Sequence, residues 1–256
     1  MDLIQTILLS VVQGITELLP ISSSGHLILV TKLLNIENLS NFTLTTFHLG
    51  TTLAIVLFNW KFLFTNISSK FKLYIYIALA SIPAGLIGIL WGDAIEAQLH
   101  ETYVVAISLI VVGVLMVIAD LRFKERKVES EIENTTFRQT FISGLSQALA
   151  LIPGVSRSGI TTLGGMLSGL DQYTAIRLSF ILGLPVLFGS FVYEMIKNVN
   201  SINIFSDSRV LIGILITFVV GYLSLYLLEK ISKSRFLRYF GVYRIVLGLI
   251  IFLFIL

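Results

Sequence analysis

Residues 13–26 read QGITELLPISSSGH, a polar stretch set in an otherwise apolar chain. Gln13, Glu17, three serines and His26 interrupt a segment, residues 3–34, that is apolar at both ends. Each apolar arm is shorter than the about 20 residues that a transmembrane helix needs. Pro20 and the SSSG run break any continuous helix. The segment therefore reads as a helix–loop–helix that dips into a membrane and returns to the same side. Irregular backbone at that depth is tolerated only where protein buries it or where it lines a wet cavity.

A second stretch, QALALIPGVSRSGIT at residues 147–161, matches the first. Setting Gln147 over Gln13 gives an offset of 134 residues, at which Ser156 falls on Ser22, Arg157 on Ser23, Ser158 on Ser24 and Gly159 on Gly25. Around it lies another broken apolar segment, residues 139–169, with Pro153 near its centre. Apolar spans near 42–60, 73–92 and 103–120 follow the first segment, and spans near 176–194, 210–228 and 239–256 follow the second. Each half then has one re-entrant hairpin and three crossings. Three is odd, so the halves insert with opposite topology and their hairpins meet near the midplane. The expected fold is an all-α integral membrane protein of two inverted-topology repeats. It forms a single polytopic domain over residues 1–256, with repeat one at 1–121, a charged cytoplasmic connector at 122–138 and repeat two at 139–256.

Composition agrees. The 256 residues are 55% hydrophobic and 13% charged, against roughly 25% charged in soluble domains, and the mean hydropathy is +0.91. The net charge of +3 is small, and the basic residues lie between apolar runs, so they report topology rather than nucleic-acid binding. The absence of cysteine excludes disulfides, thiolate metal sites and cysteine nucleophiles. The opening Met1-Asp2 lacks the basic start of a removable signal peptide. Lys61, Lys70 and Lys72, then Arg122, Lys124, Arg126, Lys127 and Arg138, then Lys230, Lys233, Arg235 and Arg238 fall on one side. Asp93, Glu96 and Glu101 fall on the other. The positive-inside rule makes the basic side cytoplasmic, which puts both termini outside and opens the Glu17 hairpin outward.

Gln13 and Glu17, four apart, share one helical face. A carboxylate inside a membrane is a functional candidate by default, against the plainer reading of a structural pair with Arg157. Ser22, Ser23 and Ser24 offer hydroxyls, and helix-start N–H groups suit phosphate, although serine also commonly just caps a helix. A hydroxyl nucleophile needs a base and an orienting group, and Glu17 and His26 are near. A lone histidine in an apolar segment is more often packing, but this one sits among polar groups and acts near neutral pH. His48 reads as packing or support, and His100 carries no signal. Arg157 is the costliest residue at membrane depth. Its planar fork fits phosphate oxygens, with Ser156, Ser158 and Thr161 adding hydroxyls. Arg244, Arg177 and Glu194 read as residues near span ends, snorkelling or paired. The cluster suits displacement of phosphate from a lipid-embedded substrate, with a divalent cation, Mg or Ca, matching oxygen ligands. Hydrolysis and anion transport both remain open on these grounds.

The two motifs resemble those of the undecaprenyl-diphosphate phosphatases, the bacitracin-resistance protein family. That family's Glu-or-Gln, three residues, Glu is matched by Gln13 and Glu17, and its serine–histidine loop by residues 20–26. Its second motif is matched by Pro153, Gly154, Ser156, Arg157, Ser158 and Thr161. The resemblance runs over the full length. It implies removal of the terminal phosphate of undecaprenyl diphosphate outside the cytoplasmic membrane, which recycles the carrier for peptidoglycan and confers bacitracin resistance. By motif, Ser23 is the implied nucleophile, with His26 moving a proton or itself attacking, or water in its place. Glu17 is the implied base or metal ligand, and Arg157 holds the diphosphate. Ser156, Ser158 and Thr161 line the site, while Gln13, Ser22 and Ser24 support binding. Gln13 stands where many relatives have Glu, and a neutral amide is no base and a poorer magnesium ligand. His48 stands where a polar amide is expected. The implied partners are a polyprenyl diphosphate lipid and the bilayer, with a homodimer allowed and no nucleic acid. The alternative is a prenyl-phosphate flippase or anion transporter, which uses the same architecture. A purely structural subunit leaves Arg157 and Glu17 unexplained.

Overall fold

A computed structural model of the chain describes residues 2–36, 41–99, 101–123, 131–198, 207–232 and 236–255. His100, Lys124, Arg126, Lys127, Lys233 and Arg235 lie outside the described residues. The first hairpin is α1 (Leu3–Leu18) and α2 (Ser23–Leu33). It is followed by α3 (Asn41–Phe58), the short α4 (Trp60–Phe64), α5 (Ile67–Leu99) and α6 (Thr102–Arg122). The second hairpin is α7 (Phe137–Ser146), which tightens into a 3-10 turn over Gln147–Leu151, and α8 (Arg157–Leu167). After it come α9 (Gln172–Lys197), α10 (Ser208–Ser232) and α11 (Leu237–Phe254). Helices α5, α6, α9, α10 and α11 are long and apolar enough to cross a membrane, which with the absence of strands among the described residues makes this an all-α integral membrane protein.

Two of the expected spans differ from the sequence reading. Helix α3 is shorter than the expected 42–60 and reaches only the lower end of the roughly 17–25 residues that span a bilayer. It packs on α1, α9 and α10, burying Phe47, Ala54 and Ile55, while Leu53 and Leu57 stay exposed. Helix α5 runs well past the expected 73–92 at both ends and carries Pro83 inside it.

The two hairpins are built alike, residue for residue, at the offset of 134. Asp2 and Gln5 form a capping box at the start of α1, and Thr136 and Gln139 form one at the start of α7. Ser22 and Ser156 both hold positive φ, 75° and 74°, which is uncommon for a residue with a Cβ. Each hydroxyl accepts from the N–H three residues on, that of Gly25 and that of Gly159. Asn35 and Gly169, again at positive φ, close the second arms. There Ile36 N–H reaches Thr31 O and Leu170 N–H reaches Gly165 O, the same C-terminal cap twice.

Packing crosses between the halves. Helix α1 lies on α10, where a Cβ on Gly14 would stand 2.9 Å from Val220. In the same way α7 lies on α5, where a Cβ on Gly144 would stand 2.4 Å from the Ala80 carbonyl. Helices α3 and α10 pair, as do α9 and α5, while α6 pairs with α11. Small residues at such crossings let backbones approach in lipid, where no hydrophobic force between helices is available. Each half thus cradles the hairpin of the other.

Candidate active site

Glu17 sits in the last turn of α1, just before the chain turns away through Leu19–Ser22. Its carboxylate is 7% exposed and meets four side chains. Gln13 Nε2 donates to Oε2 over 3.1 Å, which realises the shared helical face. The Ser23 hydroxyl donates to the same oxygen over 2.7 Å. His48 Nε2 stands 3.3 Å from it, with Nδ1 held 2.9 Å from the Leu44 carbonyl one turn back. Arg157 Nη2 donates to Oε1 over 3.0 Å. An acid from the first hairpin and a guanidinium from the second therefore share one buried site.

Arg157 opens α8 and lies flat on α9. Its Nη1 donates to the Ser179 carbonyl over 3.2 Å, and its buried Nε has no hydrogen-bond partner. One turn on from Ser179, a Cβ on Gly183 would stand 2.0 Å from Nη1. Gly183 is the seat of this guanidinium.

The loops interlock. Ser24 Oγ accepts from Gly154 N–H over 3.3 Å, and the Ser158 hydroxyl donates to the Leu19 carbonyl over 3.3 Å. Ser22 and Ser24 hydroxyls lie 3.2 Å apart, and those of Ser156 and Ser158 3.4 Å apart. Thr161, four residues after Arg157, is fully buried and its hydroxyl has no partner. Behind both loops stands Arg244. Sequence reading placed it near a span end as a snorkelling or paired residue. It is instead in the middle of α11, with no solvent exposure. Its Nη1 donates to the Pro20 carbonyl over 3.2 Å, and Nη2 to those of Gly154 and Val155 over 2.7 and 2.9 Å. A lone arginine can be this deep because the broken hairpins leave carbonyls unpaired by any helix, and a fork of donors satisfies them.

His26 is not drawn into the Glu17 network. Its Nδ1 is 2.7 Å from the Ser22 carbonyl and its Nε2 2.7 Å from the Tyr243 hydroxyl, the two rings stacked 5.7 Å apart. The grouping of Glu17, Ser23 and His26 expected from sequence thus divides. Glu17 and Ser23 are in contact, and His26 turns toward α11.

The match to the bacitracin resistance protein BacA family runs over residues 6–250. The chain belongs to the BacA family. It is 35% identical to the undecaprenyl-diphosphatase of Sulfurihydrogenibium sp., over 99% of each chain. It is 36% identical to that of Fusobacterium nucleatum, over 96% of this chain and 97% of the other. It is 38% identical to that of Acetivibrio thermocellus, over 100% and 98%. Within this BacA chain, Arg244, Tyr243 and Gly183 join the site without having been singled out for it by sequence, while His48, read as packing or support, stands against Glu17. Arg244 carried a usable signal, since a lone arginine inside an apolar run marks an intramembrane charge that needs partners. Gly183 carried none, because its role is defined by the side chain that lies over it.

Proposed function

We propose that this BacA chain hydrolyses undecaprenyl diphosphate to undecaprenyl phosphate and inorganic phosphate, recycling the lipid carrier of cell-wall synthesis. The observation that carries the reading is the 2.7 Å contact between the Ser23 hydroxyl and Glu17 beside Arg157. That is a nucleophile touching its base, with the base oriented by other groups. The relatives at 35–38% identity bear the name undecaprenyl-diphosphatase.

Arg157 and the first N–H groups of α2, which have no intrahelical acceptor, bind the phosphate oxygens. Ser23 Oγ attacks the terminal phosphorus as Glu17 takes its proton. The bond from that phosphorus to the bridging oxygen breaks, and undecaprenyl phosphate leaves. Water then attacks the phosphoserine, Glu17 returns the proton to Oγ, and inorganic phosphate departs. Positive charge from Arg157 offsets charge gathering on the transferred group. Gln13 and His48 hold the carboxylate in register, and His26, backed by Tyr243, stands at the outer edge of the serine loop.

A divalent cation fits the donor set in one way. Gln13 Oε1 is buried without a partner next to Glu17, and among the described residues no three carboxylates or imidazoles converge. Glu17 and Gln13 would supply one or two oxygens to magnesium or calcium, the rest coming from diphosphate and water. Bound there, the cation would withdraw charge from the phosphate oxygens.

In the membrane the two halves insert in opposite senses, the basic end is cytoplasmic, and the site opens outward with both termini outside. Lys70 and Glu133 are 3.8 Å apart, so the first basic loop and the connector share one end. Asp93 pairs with Lys197 over 2.7 Å, as expected of loops at the other. Purified wild type in detergent should release inorganic phosphate from undecaprenyl diphosphate when magnesium or calcium is present and stop when a chelator is added. Intact lipid with no release would sink the phosphatase and leave a carrier of prenyl phosphates.

Gly183→Ala tests the seat of Arg157. The added methyl displaces the guanidinium, and misplacement by about 1 Å costs up to about 100-fold in rate. The expected result is a fall of ~10–100-fold in kcat/KM for phosphate release in a chain that still folds, with a lowered melting temperature because the buried pair with Glu17 is disturbed. Full activity would mean that Arg157 works from another position.

A further inference from the structure

A cleft of about 390 Å³ opens between α5 and α9 beside the loop of the second hairpin. Gly85, Gly88 and Gly92 of α5 and Gly189 of α9 form its walls, and Leu151 and Pro153 its inner end. Glycine weakens a helix relative to alanine, so each one asks for a reason. At the crossings of this fold the reason is a neighbour that a Cβ would strike, as at Gly14 or Gly144. Here the reason is missing. A Cβ at Gly85, Gly92 or Gly189 would meet nothing within 4 Å, and one at Gly88 would meet only Leu151, at 3.6 Å. Gly85, Gly92 and Gly189, where a Cβ would meet nothing, all line this one cleft. Gly85, Gly88 and Gly92, three and four residues apart, lie on one face. They keep open a space that the chain itself does not fill.

The cleft adjoins the phosphate end of the site. Pro153 belongs to the loop that leads to Arg157, Thr45 lies one turn before His48, and Pro185 follows closely on Gly183. At the far end stand Glu194 and Asp93, the latter paired with Lys197, and none of the lining residues is a cation, which leaves the diphosphate to the Arg157 end. Ile89 lines the cleft as an exposed apolar side chain, and Leu86 and Phe188, next in sequence to lining residues, are exposed as well. The volume is near the lower end of the range for ligand pockets, so it takes a short length of chain and leaves the remainder in the bilayer.

We infer that this cleft holds the isoprene units nearest the diphosphate of the polyprenyl substrate, with the four glycines setting its width. The inference rests on the phosphatase reading above for its substrate. Gly88 and Gly92 also have the spacing by which transmembrane helices pack, so a helix of a second copy is the rival occupant.

The test fills the far part of the cleft with Gly92→Phe and Gly189→Phe, two positions where a Cβ has free space. Phosphate release is measured from undecaprenyl diphosphate and from isopentenyl diphosphate. A blocked apolar pocket discriminates by roughly tenfold or more. The expected result is a loss of about tenfold in kcat/KM for the long substrate and at most about twofold for the short one. An equal effect on both, or none on the long one, overturns the inference. So does a change from dimer to monomer on sedimentation with both substrates equally affected, which gives the cleft to a second copy. A polyprenyl phosphate carrying a photoreactive group in its second isoprene unit supplies the readout that does not need turnover. Labelling within residues 85–92 or 185–193, lost in the Phe variants, supports the cleft even if wild type releases no phosphate. Absence of that label in wild type overturns it.

Discussion

Ser23→Ala should lower kcat for phosphate release from undecaprenyl diphosphate by about 10³-fold or more, with substrate affinity nearly unchanged. The hydroxyl is the atom that Glu17 holds at 2.7 Å, and no neighbouring hydroxyl takes its place there. Ser22 caps α2 with its own Oγ, and Ser24 Oγ is engaged with Gly154 N–H. Ser22 rather than Ser23 caps α2, alanine is a good helix former, and Ser23 is half-buried, so the fold should survive. Acid quenching of the wild type during turnover should yield a phosphorylated Ser23 peptide, absent from the variant. Substantial release by Ser23→Ala would move the attack to water with Glu17 as its base, and the Glu17 contact would then be read as orientation alone.

The second large effect is on stability. Arg244→Met should cost about 3 kcal/mol. The guanidinium gives charge-assisted bonds to the carbonyls of Pro20, Gly154 and Val155. Such bonds contribute about 1.5–3 kcal/mol each, and the cost of burying the charge offsets part of the sum. Methionine fills the volume but orphans all three acceptors. The melting temperature in detergent should fall by about 6–12 °C. Arg244→Lys should recover little, because a compact ammonium cannot fork across two loops. A variant as stable as wild type would mean that water satisfies these carbonyls and that the loops hold without the arginine.

Much of this architecture was legible because it is written twice. The broken helices, the serine loops and the offset of 134 could be read from residue types alone, since Pro20, Pro153 and the polar runs have few other uses in an apolar chain. The joining of Gln13, Glu17, Ser23 and Arg157 followed from helical spacing and from the cost of an unpaired charge in a membrane. What could not be read was direction. His48 sits on α3, and its position on a helix packed against three others gives no sign of which neighbour it faces. His26 and Glu17 are close in sequence, yet the positive φ at Ser22 and the cap that follows turn the imidazole toward Tyr243. Arg244 was misplaced because the end of a span is ambiguous in a long apolar stretch, while its partners are backbone carbonyls that no residue type announces.

The packing of α1 on α10 has a consequence for synthesis. A ribosome that has finished α1 at Leu18 has still to add the chain up to Ser208 before the partner begins to appear. At about 5–20 residues per second the delay is roughly ten to forty seconds. For most of that interval, until residue 157 is added, Glu17 waits in or beside the membrane without Arg157, and the Pro20 carbonyl waits for Arg244, which comes later still. The nascent chain is therefore an incomplete enzyme until its final helix is delivered, and a ribosome stalled before α11 leaves a product in which the carbonyls of Pro20, Gly154 and Val155 lack their donor. Insertion factors and membrane proteases can recognise such a product by the polar groups it fails to hide.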